Sequence, residues 1–466
     1  MQEEKMTLKS TVIDNGYCIG CGVCCVVKDS NYSLKFDNNL GVYTPEIAAN
    51  VNFVSDEEAS KVCPFSNEAL DEMELGRRFF NKAPYHNDKL GYFISTHAGY
   101  VTEKEFREKG SSGGLTTWLL SELFDKGLVD AVLHIKENKK SGKSPVLFNY
   151  QISNTLEEIK EGAKTKYYPI ELSGVLEVVK NSDKKFAIVG VPCFIKAIRL
   201  LGEQNSIIKE RVKYTIGLVC GHLKSAHFAN MWGWQLGIHP KNIKNIDFRT
   251  KLDGYGANEY GVSVRGDIDG KEITKVSPPL NRMFGANWGW GLFKLKACDC
   301  CDDVVAETAD ITIGDAWLPR YVKDSKGTSV IVIRNFVIHD LMKNASGIGR
   351  IFMEDIAAID VIKSQEGGFR HRREGLAYRI SLLAKQDLWF PKKRFGECHN
   401  LNNKQKAIQN LRTKIREKSL EAMLQAISKN DFKYFIDYLK DDVNTYQKLY
   451  RKPLYLRIVN KIKKFI

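Results

Sequence analysis

The sequence predicts an α/β core set between a cysteine-rich, iron–sulfur-type N-terminal domain and a basic, mainly helical C-terminal extension. Three observations carry this. From about residue 96, short apolar runs alternate with amphipathic stretches, as strands and helices do in a mostly parallel sheet. Five of the 11 cysteines fall between residues 18 and 63. Residues 401–466 hold 16 Lys/Arg against 6 Asp/Glu, +10 of the total +14, so the basic character belongs to an appendage, not to the body.

At 466 residues, 43% hydrophobic and 27% charged, the chain has the composition of a folded protein of several domains. No apolar run reaches the roughly 18 residues of a membrane span. "MQEEKMTLKS" lacks a leader's apolar stretch, so a cytoplasmic location is expected. In that reducing setting cysteines serve metals or redox chemistry rather than disulfides.

"YCIGCGVCC" spaces Cys18, Cys21 and Cys24 as C-x-x-C-x-x-C, with Gly20 and Gly22 between them. Such spacing wraps a cubane iron–sulfur cluster, with backbone amides turned toward the sulfurs. The usual fourth ligand is a cysteine before proline, here Cys63 in "VCPF". Cys25 is an adjacent competitor, and a structural zinc site is the alternative. The C-x-x-x-C-x-x-C triplet of radical enzymes does not occur. Residues 76–95 read as a linker.

In the α/β region "SSGGLTTWLLSELFDKGLVD" reads as a glycine loop and helix, and "AVLHI" as a strand. "KKFAIVGVP" is a strand leading into the helix "CFIKAIRLLGE"; "VKYTIGLVC" is a further buried strand before another helix. "YGVSVRGDIDGKEITKV" is a hairpin turning at Asp269-Gly270. "SVIVIRN" is a strand, and the chain is helical and basic from about residue 403.

Cys193 and Cys220 each follow a buried strand, and parallel strands present their C-terminal ends along one edge. With the C-x-x-C pair Cys298 and Cys301 they make a candidate four-thiolate set; ordinary buried cysteines are the alternative. Cys300 and Cys398 are left over. Asp299, Asp302 and Asp303 flank the late pair, and negative charge facing a cluster lowers its potential. "KGSSGG", with Ser111, Ser112, Gly113 and Gly114 before a helix and Thr116 in its first turn, suits a phosphate or is only a helix cap. Lys164 and Lys166 in "AKTKYYP", and Asp315 in "TIGDAW", are candidates to orient a ligand, against an exposed loop and a structural turn. "GGFRHRREG" is a basic cluster for an acidic group or a solvated loop. The end, "LYLRIVNKIKKFI", suits an anionic membrane surface, a packed surface helix or an acidic protein partner.

The ordered pieces "CIGCGVC…CP", "GSSGGLTTWLL", "TKYYP", "VGVPCFIKAIR", "LVCGH" and "CDCCDDVVAETADITIGDAW" span about residues 15–320. They resemble the family of coenzyme F420-reducing hydrogenase/dehydrogenase beta subunits, which includes 7-hydroxymethyl chlorophyll a reductase. The resemblance implies an oxidoreductase with FAD and one or two [4Fe–4S] clusters. It implies that Cys193, Cys220, Cys298 and Cys301 hold an inner cluster beside the flavin, and it favours the loop Ser111, Ser112, Gly113 and Gly114 as a phosphate site of that flavin; Thr116, Lys166 and Asp315 are further candidates to bind it. Two motifs depart from the family's: Val191-Pro192-Cys193 replaces Thr-Pro-Cys, and Cys220-Gly221-His222 replaces Cys-His-Gly.

The expected organisation is a ferredoxin-type domain over 1–80, a flavin-binding part over 95–180, a part carrying the second ligand set over 181–345, and the extension over 346–466. The expected activity passes electrons from a ferredoxin or another redox protein to a small organic acceptor, or the reverse; no catalytic residue is assigned. A non-catalytic electron-transfer subunit is the alternative. A zinc-stabilised nucleic-acid binder is disfavoured, because the basic tail carries no recognisable nucleic-acid fold. The long extension and altered motifs argue against assuming coenzyme F420 itself as the acceptor.

Overall fold

Eight strands build one sheet: β1 (Ser95–Val101), β2 (Ala131–Glu137), β3 (Phe148–Ser153), β4 (Phe186–Gly190), β5 (Val212–Leu218), β6 (Ile311–Asp315), β7 (Ser329–Ile333) and β8 (Ile351–Asp355). The computed structural model describes residues 6–47, 53–103, 105–139, 146–396 and 400–451. The sheet order is β8-β1-β7-β6-β5-β4-β2-β3. Only β6, β5, β4 and β2 pair in parallel; β3 on one side and β7, β1 and β8 on the other pair antiparallel. The expected mostly parallel sheet is therefore a parallel centre with antiparallel flanks. The chain returns from β6 to β7 through a loop with no helix, and a parallel neighbour needs a longer crossover.

β4 and β7 are buried at every position, as strands covered on both faces must be. Alternate residues serve opposite faces. Val132, Ala187 and Ile311 pack with the helices Leu115–Asp125 and Phe336–Gly347. Leu133, Phe186 and Ile188 pack with Ile195 and Ile198 of the helix Pro192–Gln204. Val12, Tyr17, Val23, Val62 and Phe65 join that second core, so the N-terminal cysteine region sits directly on the sheet's face. Residues 76–95 are not a linker. A helix runs Glu72–Phe80 and a short hairpin pairs Tyr85–Asn87 with Gly91–Phe93, held because Leu90 and Phe93 enter a core of their own.

The predicted hairpin forms, with Ile268 opposite Lys271 and positive φ at Asp269 (50°) and Gly270 (74°), the geometry of a two-residue turn. It adds to Ile243–Thr250 as a three-stranded sheet. The extension folds as the helices Asn403–Lys429 and Phe432–Tyr450. Asn402 and Gln405 form a capping box, and Asn430 turns the chain at φ 50°. Ile415, Met423, Phe435 and Leu439 share a core with Phe228, Trp232 and Phe293, so this extension is docked on the body. Residues 452–466, the candidate membrane-contacting end, lie outside the described residues, as does Cys398. Among the described residues no helix is long and apolar enough to cross a membrane.

A buried histidine in β2 gives the fold an acid-sensitive point. His134 bonds the Ser153 hydroxyl at 2.8 Å. Burial, with Lys136 and Lys166 adding, lowers its pKa from 6.5 to about 3. The unfolded chain then binds the extra proton, so this contribution is intact above pH 6.5 and is lost as pH falls toward 3. His134→Gln is expected to flatten the fall of the urea midpoint across that window.

Candidate functional site

The parallel pairing of β4 and β5 places their C-terminal ends side by side. Pro192, pre-set for a first helical turn, starts the helix after β4 and puts Cys193 in that turn. Cys220 follows β5, tied by its amide to the Val304 carbonyl at 3.0 Å. Cys298 and Cys301 lie in and just after the turn Lys296–Cys300. The four thiols lie within electrostatic reach of one another: Cys193 feels the charge of Cys301, Cys220 and Cys298, and Cys298 that of Cys301 and Cys220. Burial, and then this mutual repulsion, push Cys193 well up and Cys298 up to about 12. Such a group favours a bound cation, which relieves the repulsion and stabilises the thiolates.

Cys300 points elsewhere. Its neighbour is Tyr17 rather than another thiol, and burial pushes its thiol up to about 11 against the pull of Arg379.

The second group is N-terminal. Cys18 and Cys21 feel Cys63 and Cys25, and Cys24 feels Cys25, Cys21 and Cys18. Cys25 therefore stands with the predicted four. Gly20 and Gly22 have φ of +65° and +78°; a Cβ on Gly20 would come within 2.6 Å of the Tyr43 carbonyl oxygen. That close approach turns the Gly20 amide onto Cys18 Sγ at 3.4 Å. The two groups adjoin: Cys193 and Cys21 interact, and both act on the buried Tyr150, whose hydroxyl donates to the Val189 carbonyl at 2.7 Å. Among the described residues no three His, Cys, Asp or Glu side chains close round a single-ion position. A cubane, with iron and sulfide between its thiolates, does not require that.

The basic run, which reads more readily as a solvated loop, is helical, and it buries Arg372 and Arg373 while Arg370 is exposed. Helices Glu366–Arg372 and Glu374–Lys385 break at Arg373. Arg372, 4% exposed, donates from Nη1 to Cys301 Sγ at 3.2 Å and from Nη2 to Cys220 Sγ at 3.5 Å. The same nitrogens bond the carbonyls of Asp303 and, at 2.7 Å, Gly221. The flanking carboxylates are also paired. Asp299 meets Lys294, Arg379 and Arg416, Asp302 meets Arg394, and Glu307 meets Arg373 and Arg394. Burial opposes charge on Asp299, but Lys294, Arg379 and Arg416 hold its carboxyl well below the usual range. Burial, with Glu307 and Glu72, pushes Asp303 up to about 7.

The glycine loop is packed tightly on β1. A Cβ on Gly113 would come within 2.8 Å of the Gly99 carbonyl oxygen, and one on Gly114, at φ +80°, within 2.5 Å of the Phe106 carbonyl. Ser111 Oγ accepts from the Thr165 amide at 2.8 Å, and Ser112 donates to the Thr328 carbonyl at 3.0 Å. Thr116 is half-buried in the first helical turn. Lys166 turns back onto the carbonyls of Ala163 and Lys164, at 2.6 and 3.0 Å. Burial lowers its pKa to about 8. Asp315 holds both η nitrogens of Arg249, at 2.9 and 3.0 Å.

Arg249, which sequence reasoning missed, ties the predicted pieces together. It also reaches the Ser111 carbonyl and the Tyr167 hydroxyl, each at 3.4 Å, while its buried Nε has no hydrogen-bond partner. Lys251 donates to the Ser112 carbonyl at 3.3 Å. Between Arg249 and Cys220 stands an aromatic wall: Trp288 lies 4.9 Å from Tyr167 and 4.7 Å from His222, centroid to centroid. It borders a pocket lined by Tyr167, Phe228, Phe248, Tyr260 and Trp288. A Cβ on Gly221 would sit 3.3 Å from Trp288, so the ring rests on the glycine of the altered Cys-Gly-His motif.

A mixed α/β sheet with one cysteine group at the C-terminal ends of its central strands and a second adjoining it defines the class of protein. The chain belongs to the family of coenzyme F420 hydrogenase/dehydrogenase beta subunits: residues 96–177 match the family's N-terminal and residues 183–359 its C-terminal description. It is 23% identical over 340 residues to the coenzyme F420-dependent sulfite reductase of Methanocaldococcus jannaschii, covering 69% of this chain but 45% of that protein. It is 23% identical to the coenzyme F420 hydrogenase subunit beta of Methanothermobacter thermautotrophicus, over 52% of this chain and 81% of the relative. To a subunit of the F(420)H(2) dehydrogenase of Methanosarcina mazei it is also 23% identical, over 68% and 82%. The chain thus spans less than half of the sulfite reductase and about four-fifths of the two subunits. A solved chain from the F420-reducing [NiFe] hydrogenase complex of Methanosarcina barkeri aligns at TM-score 0.48 and 18% identity, over 68% of this chain and 99% of that one. The relatives are named as oxidoreductases or their subunits, which supports a redox role.

Proposed function

We propose that the chain is an iron–sulfur flavoprotein oxidoreductase, exchanging electrons between a ferredoxin-like redox protein and a small organic acceptor. The observation that carries this is the convergence of Cys193, Cys220 and the pair Cys298 and Cys301, from three distant parts of the sequence, into one thiol group beside a second such group. Cys18, Cys21, Cys24 and Cys63 would hold one [4Fe–4S] cluster and the convergent four the other. When bound, the clusters carry single electrons and FAD converts between one- and two-electron transfers. The cationic set Arg249, Lys251 and Lys164 beside the glycine loop suits the pyrophosphate of FAD. The Tyr167–Trp288 wall offers a planar ring a place between that loop and Cys220. Asp315 orients Arg249, and the packed aromatics exclude water.

Anaerobic purification with iron, sulfide and flavin analysis tests the reading. About eight irons per chain, four per cluster, is the expected content; zinc without flavin overturns it. Arg249→Leu removes a charged donor worth about 1.5–3 kcal/mol. It is expected to weaken flavin retention about tenfold or more with iron content unchanged.

The names of two relatives as subunits favour a second reading, an electron-transfer subunit without its own substrate. Turnover of a small acceptor by the isolated chain separates the two. Coenzyme F420 belongs in that assay, because the relatives are named for it.

A further inference from the structure

We infer that Arg372 sets the reduction potential of the inner cluster. This rests on the reading that Cys193, Cys220, Cys298 and Cys301 hold that cluster. Arg372 lies beyond residue 359, where the family match ends, so the extension supplies a group to the site. Its two η nitrogens reach two different sulfurs of the set, Cys301 at 3.2 Å and Cys220 at 3.5 Å. Among the described residues no carboxylate is bonded to it; its other acceptors are the carbonyls of Asp303 and Gly221. The neighbouring carboxylates Asp299, Asp302 and Glu307 are engaged by other cations. The Arg372 charge is thus directed at the thiolates.

Adding an electron makes a cluster and its thiolates more negative. Hydrogen bonds to the sulfurs and a buried cation beside them stabilise that reduced state and raise the potential. A purely structural role, pinning the two loops through their carbonyls, would leave the potential where it is.

The test is a redox titration followed by electron paramagnetic resonance on the full chain and on Arg372→Gln. The expected result is full iron content, a lowered midpoint for the inner cluster and an unmoved midpoint for the N-terminal one. An unchanged inner midpoint, or equal shifts in both clusters, overturns the inference. Should Arg372→Gln fail to assemble the cluster, Arg372→Lys carries the test: it keeps the charge but cannot bond both sulfurs through a fork. A midpoint lowered at the inner cluster alone supports the inference, and an unchanged one overturns it. An unaltered protein holding only about four irons overturns the two-cluster reading, and this inference with it.

Discussion

Cys301→Ser is expected to purify with about four irons per chain in place of about eight, and Cys300→Ser with the full complement. The two residues are neighbours in sequence, alike in chemistry and both buried, so composition alone would treat them as equivalent. Their surroundings separate them. Cys301 receives an Arg372 N–H and feels the thiol of Cys220. Cys300 has Tyr17 and Arg379 as neighbours, and among the described residues no other thiol acts on it. Equal iron loss in both variants would refute the assignment of the inner ligands, whereas loss in Cys301→Ser alone supports it. Cys25→Ser applies the same comparison at the N-terminal group, where the structure keeps five thiols together.

Asp299→Asn is expected to destabilise the protein by about 3–5 kcal/mol, the usual result of removing one partner from a buried ionic group. Lys294, Arg379 and Arg416 all converge on this carboxylate, and an amide would leave the buried Lys294 and Arg379 unbalanced, with Arg416 keeping only Glu417. The urea midpoint of the iron-loaded protein reads the effect. Asp183→Asn is the control, since that carboxylate meets Arg211 at the open surface and exposed pairs contribute little. A midpoint for Asp299→Asn as high as the control's would mean that the cations find other counter-charges.

The parts of this site visible in the sequence are those with fixed local spacing. Cys18, Cys21 and Cys24 follow a ligand motif, and Cys193 and Cys220 end two buried strands that prove to be parallel neighbours. The Asp269-Gly270 turn was legible because only a few residues accept positive φ in succession. Arg372 and Arg249 were not legible. An arginine in a basic run and one in a half-buried strand look like solvated charge until tertiary packing supplies their partners. Lys166 illustrates the reverse: well placed in sequence, it bonds its own loop. Residues 76–95 misled because three-residue strands are too short to display a period, and the antiparallel flanks of the sheet depend on connections whose direction residue patterns do not encode.

The docking of arginines 372, 373, 379, 394 and 416 onto Asp299, Asp302, Glu307 and the inner sulfurs has a practical consequence for dissecting the gene. A clone ending at residue 359, where the family match stops, would not yield a minimal catalytic core. It would take Arg379 and Arg416 from Asp299, leaving it Lys294 alone, and Arg394 from Asp302, and would uncover the apolar surface around Trp232 and Phe293 that the last two helices cover. Such a fragment should be recovered as insoluble, iron-poor material. The useful cut lies after the helix Phe432–Tyr450, which leaves every one of these cations in place.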